Sequence, residues 1–446
     1  MLAYLLLRPC LITIPLEELL DYKHGIIGLI KFSSRYRHEP LANDVLLKPS
    51  LSRFLILCLL LLVMIRRVEG SSKDLLIEVE PKGDEMGIGY FIPKDTFSIF
   101  DYKVRGKWPF SIPHKGLAMR YIISKSFELA SSSGIKTCFI EAMEHGFKVY
   151  VVRVPGRELP LDQMEVEVGA RNRMVDLEFI FNYYLHPRSS LLADMRQGRK
   201  DYNSYGFTSM PEGGELIPSS AKGELILSYT TKYDKRGDIS LSRDEARIRS
   251  RLTDEQWSKA HELIKECTML ICRYAEQRGL LRFDGKYEVY VDSNGDVGLA
   301  DTFGNPEEDR YMIEIRDVSM VERFLDFYMG RWRLDASRID AVKDGLRIKK
   351  RHMVDVSKQF LRNWYIDNGW RQLYASGKSD VPPMMPRDAI SAYADCMLSF
   401  ASLWSNKTAE IVNATGVLVR PIAEVASELY ALEHLNRSNL LPIEGL

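Results

Sequence analysis

Asn294-Gly295 lies between two runs of alternating apolar and polar residues, and it restricts the fold more than any other feature of the chain. In FDGKYEVYVDSNGDVGLAD, residues 283–301, Tyr287, Val289 and Val291 alternate with Asp284, Lys286, Glu288 and Tyr290. A period of two marks a strand, and Asn-Gly is the strongest short signal for a hairpin. A two-residue turn there pairs Ser293 with Asp296 and, further down the ladder, Glu288 with Asp301. Facing carboxylates repel, so this pair is destabilising unless a hard divalent cation such as Mg²⁺ holds both by oxygen ligation. Lys286 on the same face adds a point charge suited to phosphate. The competing reading is the solvated face of an edge hairpin, in which a longer turn shifts the register and separates the two acids.

The flanking pattern predicts an α+β chain. A capping box of Thr253 and Gln256 opens the strongest helix, whose apolar stripe is Trp257, Ala260, Leu263, Ile264, Cys267, Leu270, Ile271 and Tyr274, and Gly279 ends it. Upstream, short alternating runs at 75–79, 89–92, 147–154 and 164–168 predict strands, with a helix over 117–133 between them. A further strand is expected at 177–181, and helices at 353–368, 387–404 and 421–435. The expected organisation is an N-terminal extension over 1–63, a sheet-rich lobe over 64–174 and a larger α+β lobe over 175–446. The extension contains FLILCLLLLVMI, residues 54–65, flanked by Arg53, Arg66 and Arg67. That run falls short of the roughly 20 apolar residues of a spanning helix, and it lacks the small residues of a signal cleavage site. It is read as an extension with Met64 as an alternative start, ahead of a membrane anchor or an added packed helix.

Composition narrows the partners. Of 446 residues, 61 are Lys or Arg and 61 Asp or Glu, so no net field draws the chain to nucleic acid or an acidic membrane. Small molecules are the expected partners, and homo-oligomerisation is left open. Six cysteines with no C-x-x-C pair read as thiols of a reducing compartment, so a cytoplasmic location is expected.

The hairpin residues resemble the signature of the phosphoribosylaminoimidazole-succinocarboxamide synthase (SAICAR synthetase) family, D-x-K-x-E-F-G followed by a strand and D-E-x-x-x-P-D-x-S-R. Asp284, Lys286, Glu288, Asp301 and Arg310 carry that likeness. Other stretches follow in family order. EGSSKDLL resembles the phosphate loop, while FSIFDY and HKGLAMRYIISKSFELASSSGIKTCFIE, with Asp101 and Lys115, resemble the next segment. LEFIFNYYLHPRSSLL, SYTTKYDKRGDIS and VSKQFLRNW come after them. The resemblance implies a two-lobe fold and an ATP- and Mg²⁺-dependent ligase of purine biosynthesis. Its reaction joins L-aspartate to carboxyaminoimidazole ribonucleotide through an acyl phosphate, releasing ADP and phosphate. It also implies roles for residues: Lys286, Asp284, Lys232 and Asp238 in catalysis; Lys73, Ser71, Arg171, Lys286, Glu288 and Asp301 at the nucleotide; Glu288 and Asp301 on the metal. Arg188, Ser189, Ser190, Arg310, Lys358 and Arg362 would hold the imidazole nucleotide.

Three positions depart from the pattern. Ser71 replaces a lysine and leaves Lys73 as the phosphate loop's cation, Asn182 replaces an arginine that Arg188 could stand in for, and Thr302 replaces a glutamate. The basic segment 311–356 is longer than the family's connection and is read as a solvated or interface element, ahead of a substrate lid. Two other readings stay open: a kinase-like phosphotransferase, which the lack of an H-R-D-x-x-x-x-N loop disfavours, and a non-catalytic nucleotide-binding relative.

Overall fold

A computed structural model describes residues 65–99, 108–154, 166–234, 237–379 and 381–441. The apolar run at 54–65 and Asp101 therefore lie outside the described residues, except for Ile65 at its end. Two sheets carry the fold. The first joins β1 (Arg66–Val68), β2 (Lys73–Val79), β3 (Gly87–Pro93), β4 (Phe139–Ala142) and β5 (Phe147–Val151) in the order β1-β2-β3-β5-β4. The second joins β6 (Arg173–Asn182), β7 (Ile226–Thr231), β8 (Ser240–Leu241), β9 (Leu281–Val291), β10 (Val297–Ala300), β11 (Arg310–Glu314) and β12 (Met353–Asp355), ordered β12-β11-β9-β6-β7-β8 with β10 also paired to β9. Helix α1 (Lys115–Ser132) lies between β3 and β4 in the chain; α2 (Ser190–Arg196), α3 (Arg243–Ser250) and α4 (Asp254–Glu276) serve the second sheet. Late in the chain come α5 (Val318–Trp332), α6 (Ala336–Ile348), α7 (Gln359–Asp367), α8 (Arg387–Ser405) and α9 (Ile422–Arg437).

The local signals hold where capping or periodicity is strong. Thr253 accepts from the Gln256 N–H while the Gln256 side chain returns to the Thr253 N–H, and the helix they open runs for 23 residues. Its stripe is core, with Trp257, Ala260, Leu263, Ile264, Cys267 and Ile271 buried, whereas Leu270 and Tyr274 are half-buried. Two expectations fail. Met353–Asp355 is a strand, paired to β11 through Met312↔Asp355, so the helix starts only at Gln359. The sheet edge offered backbone partners that outweighed helical periodicity. In the strand expected over 164–168, Val166 and Glu167 lie outside any strand and Val168 is in a turn; Met164 and Glu165 are not described.

The hairpin register also differs. Val297 pairs with Val291 and Ala300 with Glu288, one residue away from the two-residue turn. The loop is Ser293–Asn294–Gly295, because Asp292 Oδ1 accepts from the backbone N–H of Asn294 (2.7 Å) and of Asp296 (2.9 Å), and Gly295 takes φ 91°. An Asx turn of this kind competes with the tight Asn-Gly turn. Nor is β9 an edge with a solvated face. It pairs with β6 on one side and with β10 and β11 on the other, and Asp284 and Glu288 are each 5% exposed. Strand β10 in turn reaches the first sheet: Cys138 N–H donates to Leu299 O, Leu299 N–H to Lys136 O, and Lys136 Nζ lies 2.5 Å from Asp292. These contacts set the two sheets around one cleft.

Candidate active site

The cleft has a volume of about 2200 Å³ and is lined from β2, β6, β7, β9 and the turn before β11. On its floor the residue facing Glu288 across the ladder is Glu178 of β6, not Asp301. The like-charge problem expected in the hairpin thus arises with a different partner, and lysines answer it: Lys232 Nζ lies 3.0 Å from Glu178 and 2.5 Å from Glu288, and Lys286 Nζ lies 2.7 Å from Glu178. Burial opposes charge on Glu178, yet Lys286 and Lys232 hold its carboxyl below the usual range. Against burial, Glu288 and Glu178 raise Lys232 above its usual range, and Glu308 with Glu178 raises Lys286.

Asp301 reaches this floor by a different route. It follows β10 with φ 55°, a left-handed conformation uncommon outside glycine. There it meets Lys73 Nζ at 2.6 Å. Lys73 also faces Glu308 at 3.5 Å and donates to Thr302 Oγ1 at 3.3 Å; burial works against its charge, but Asp301 and Glu308 push its pKa up to about 12. Glu308 is shared with Lys286 at 3.5 Å, and the lysines around it hold its carboxyl far below the usual range despite burial.

Two acid oxygens on this floor stand out. Glu288 Oε1 and Asp301 Oδ1 are buried and touch lysines as ion pairs without hydrogen-bond geometry. Burial, with Asp301 nearby, pushes the Glu288 carboxyl above its usual range in spite of Lys232. Hard, mutually repelling oxygens with unfilled hydrogen-bonding capacity are what a divalent cation bound by carboxylates requires, so these residues fit Mg²⁺. Among the described residues, no group of three or more His, Cys, Asp or Glu side chains is gathered as a ready metal cage.

One wall of the cleft carries the residues expected at the imidazole nucleotide. Arg188, Ser190, Arg310, Lys358 and Arg362 all line it. Arg310 grips Asp284 bidentately at 2.6 and 2.5 Å, so the aspartate expected in catalysis anchors an arginine. Arg188 is 2.9 Å from Asp367, and Lys358, its charge disfavoured by burial, is 3.7 Å from Glu307. Ser189 differs: its hydroxyl caps α2 by accepting from Leu192 N–H at 3.1 Å, and it does not line the cleft. Arg171 is exposed and also lies outside the lining. Ser71 and Asp238 line the cleft, and the Ser71 carbonyl accepts from Thr96 Oγ1 at 2.7 Å. Lys94 holds the phosphate-loop segment from beneath through Gly70 O (2.5 Å) and Asp74 (2.8 Å).

Sequence reasoning passed over Glu178, Glu307 and Glu308. The signal for Glu178 is a lone acid inside the apolar run LEFIF, and for the others an acidic run directly before Arg310. Glu307 also lies 3.4 Å from Lys115, which is wholly buried at the start of α1.

The SAICAR synthetase family profile matches residues 82–321, more than half of the chain and nearly all of this floor. The chain belongs to the SAICAR synthetase family. An Archaeoglobus fulgidus protein carrying the phosphoribosylaminoimidazole-succinocarboxamide synthase name is 30% identical over 266 residues, 56% of this chain and 76% of that one. The synthase of Thermoplasma acidophilum is 27% identical over 307 residues, 68% of this chain and 87% of its own. A solved SAICAR synthase has the same fold, with a TM-score of 0.51 at 14% identity over 77% of this chain and 96% of that one. Family membership makes the chain an ATP-dependent ligase of purine biosynthesis and disfavours the kinase-like and non-catalytic readings.

Proposed function

We propose that this chain joins L-aspartate to carboxyaminoimidazole ribonucleotide at the expense of ATP, giving SAICAR, ADP and phosphate. The observation that carries the reading is the convergence of Lys73, Lys232 and Lys286 with Glu288 and Asp301 on one buried floor, beside a wall holding Arg188, Arg310, Lys358 and Arg362. A carboxylate is a poor electrophile. Its oxygen therefore attacks the γ-phosphorus of ATP with loss of ADP; the aspartate amine then attacks the acyl carbon, phosphate leaves, and the amine gives up a proton. Transfer of this kind rests on positioning and charge neutralisation rather than on a nucleophilic side chain. Lys73 and Lys286 would neutralise the phosphates, and Lys232 would stay charged between Glu178 and Glu288. Asp238, at the exposed rim, would receive the amine's proton. Glu288 and Asp301 would hold Mg²⁺, which when bound supplies charge neutralisation for the transferring phosphoryl group. Ser71 and backbone groups of the 69–72 loop would complete the phosphate contacts.

The wall cations suit a substrate that carries a phosphate and a carboxylate, since arginine recognises both with paired N–H groups. The proposed setting is the cytoplasm, where buried thiols such as Cys138, Cys267, Cys272 and Cys396 stay reduced. A coupled assay tests the reaction: ADP should form only when both aspartate and the imidazole carboxylate are present. ADP release at full rate without aspartate would overturn the ligase.

A further inference from the structure

Behind the substrate wall lies a buried polar chain that the reaction does not itself require and whose end, Gln359, reaches the cleft lining. His186 is 1% exposed, Asp355 4% and Asn363 2%. Two N–H donors converge on His186 Nδ1: the backbone of Arg188 at 3.0 Å and Arg310 Nη1 at 3.0 Å. A nitrogen that accepts from two donors carries no proton, so the ring is the tautomer with hydrogen on Nε2. Nε2 then donates to Asp355 Oδ1 at 3.0 Å. The second carboxylate oxygen, Oδ2, accepts from Asn363 Nδ2 at 3.0 Å, and Asn363 Oδ1 accepts from Gln359 Nε2 at 2.9 Å. Both residues lie on α7, the helix that follows Lys358 and carries Arg362.

We propose that the Asp355–His186 pair is the positioning device of the substrate wall, with one carboxylate fixing the loop of Arg188, the guanidinium of Arg310 and the helix of Arg362 in a single arrangement. The inference rests on the reading that those cations hold the imidazole nucleotide. Arg310 has two anchors, Asp284 on one edge and His186 on Nη1, and together they leave the guanidinium one orientation. Asp355 reaches this point because β12 pairs with β11, the strand that Arg310 begins. Neither His186 nor Asp355 lines the cleft, so both act through Arg310 and α7.

The test is steady-state kinetics on the full chain with each substrate varied in turn, together with thermal melts and ¹⁵N NMR of the His186 ring. His186→Leu removes the acceptor, and losing one hydrogen bond to a charged group corresponds to roughly a tenfold loss of affinity. The KM for the imidazole carboxylate should rise about tenfold or more, with the KM for ATP unchanged and kcat within about threefold. His186→Asn keeps an acceptor near the Nδ1 position and should recover most of the loss. Asp355→Asn obliges its amide to face one of two donors; if Nε2 becomes the acceptor, the proton moves to Nδ1 and opposes Arg310. Its KM should shift in the same direction, and the ring's nitrogen signals should report the changed tautomer.

Arg310→Lys separates this inference from the reading beneath it. If Arg310→Lys leaves the KM for the imidazole carboxylate unchanged, the substrate-wall reading fails. If Arg310→Lys raises that KM while His186→Leu does not, only the positioning inference fails. It fails also if His186→Leu and His186→Asn behave alike, if the KM values for ATP and the imidazole carboxylate rise together, or if His186→Leu adds its full effect to Arg310→Lys. Should His186→Leu not fold, the Asn variant and the NMR tautomer decide: a wild-type ring protonated on Nδ1 would overturn the proposal.

Discussion

At the scale of single residues, the floor of the cleft holds buried acid oxygens that no hydrogen bond satisfies, Glu288 Oε1 and Asp301 Oδ1 among them. Glu288 is the clearest case, because burial and Asp301 disfavour its charge. Replacing it with the neutral isostere relieves that burden but leaves Lys232 with Glu178 as its remaining acid. Glu288→Gln should lower Mg²⁺-dependent ADP formation by roughly 10²–10³-fold, the scale of losing one preorganised charge contact. The melting temperature should change little, because relief of the buried like-charge contact with Asp301 offsets the lost partner of Lys232. Asp301→Asn should lose similar activity but also some stability, since Lys73 then sits buried beside a single remaining acid, Glu308. Full Mg²⁺-dependent turnover in both variants would dismantle the site. Lys73 itself, raised to about 12, stays cationic across the physiological range. Lys73→Met should accordingly weaken ATP use at every pH between 6 and 9 rather than alter the shape of the pH–rate profile.

At the scale of elements, β9 organises the site, and its neighbours explain why it tolerates so little change. It carries Asp284, Lys286 and Glu288 to the cleft, while Arg282, Tyr287 and Val289 are buried in the core. Arg282 is wholly buried, 2.8 Å from Asp309, and its Nη1 and Nη2 each donate to Tyr287 Oη at 3.1 Å. Gly285 leaves the space that Asp309 uses: a Cβ there would lie 1.8 Å from Asp309 Oδ1. Gly285→Ala should destabilise the protein by about 1–3 kcal/mol through overpacking. It should also impair turnover, because the displaced turn carries Glu307, Glu308 and Arg310. Chemical denaturation with activity measured alongside checks this, and a variant of wild-type stability would show that the turn can move freely. The hairpin tip is a milder test: Asp292→Ala removes two backbone contacts and the tie to Lys136, at a cost of about 1–2 kcal/mol.

For the whole molecule, the cleft joins two sheets through buried ion pairs, so stability should follow acid titration. Glu178, Glu308 and Asp355 have carboxyls held below the ordinary range by lysines or by His186. A depressed folded-state value means that the unfolded chain binds the proton first. Their stabilisation is therefore complete above the ordinary glutamate value of 4.5 and is lost as pH falls below it. Glu433 runs the other way: burial raises it to about 7, so its ionisation erodes stability between 4.5 and 7. Melting temperatures should therefore rise as pH falls from 7 to 5 and then fall steeply below 4.5; an unchanged value between pH 5 and 3.5 would contradict these assignments. The sequence by itself determined what local physics can write. The capping box of Thr253 and Gln256, the strand periodicity of 283–291 and the existence of a hairpin all depend on residues within a few positions of each other. So did the order of the motifs from Lys73 to Arg362, which exposed the family. The hairpin's register, the pairing of Glu288 with Glu178, the left-handed turn at Asp301 and the strand at Met353–Asp355 were decided only by the tertiary structure. The His186–Asp355 contact joins residues 169 positions apart, and such a pair leaves no period or spacing to read. It exists because the sheet brings β11 and β12 beside the loop after β6, where a buried carboxylate can be satisfied only by donors arriving from elsewhere in the chain.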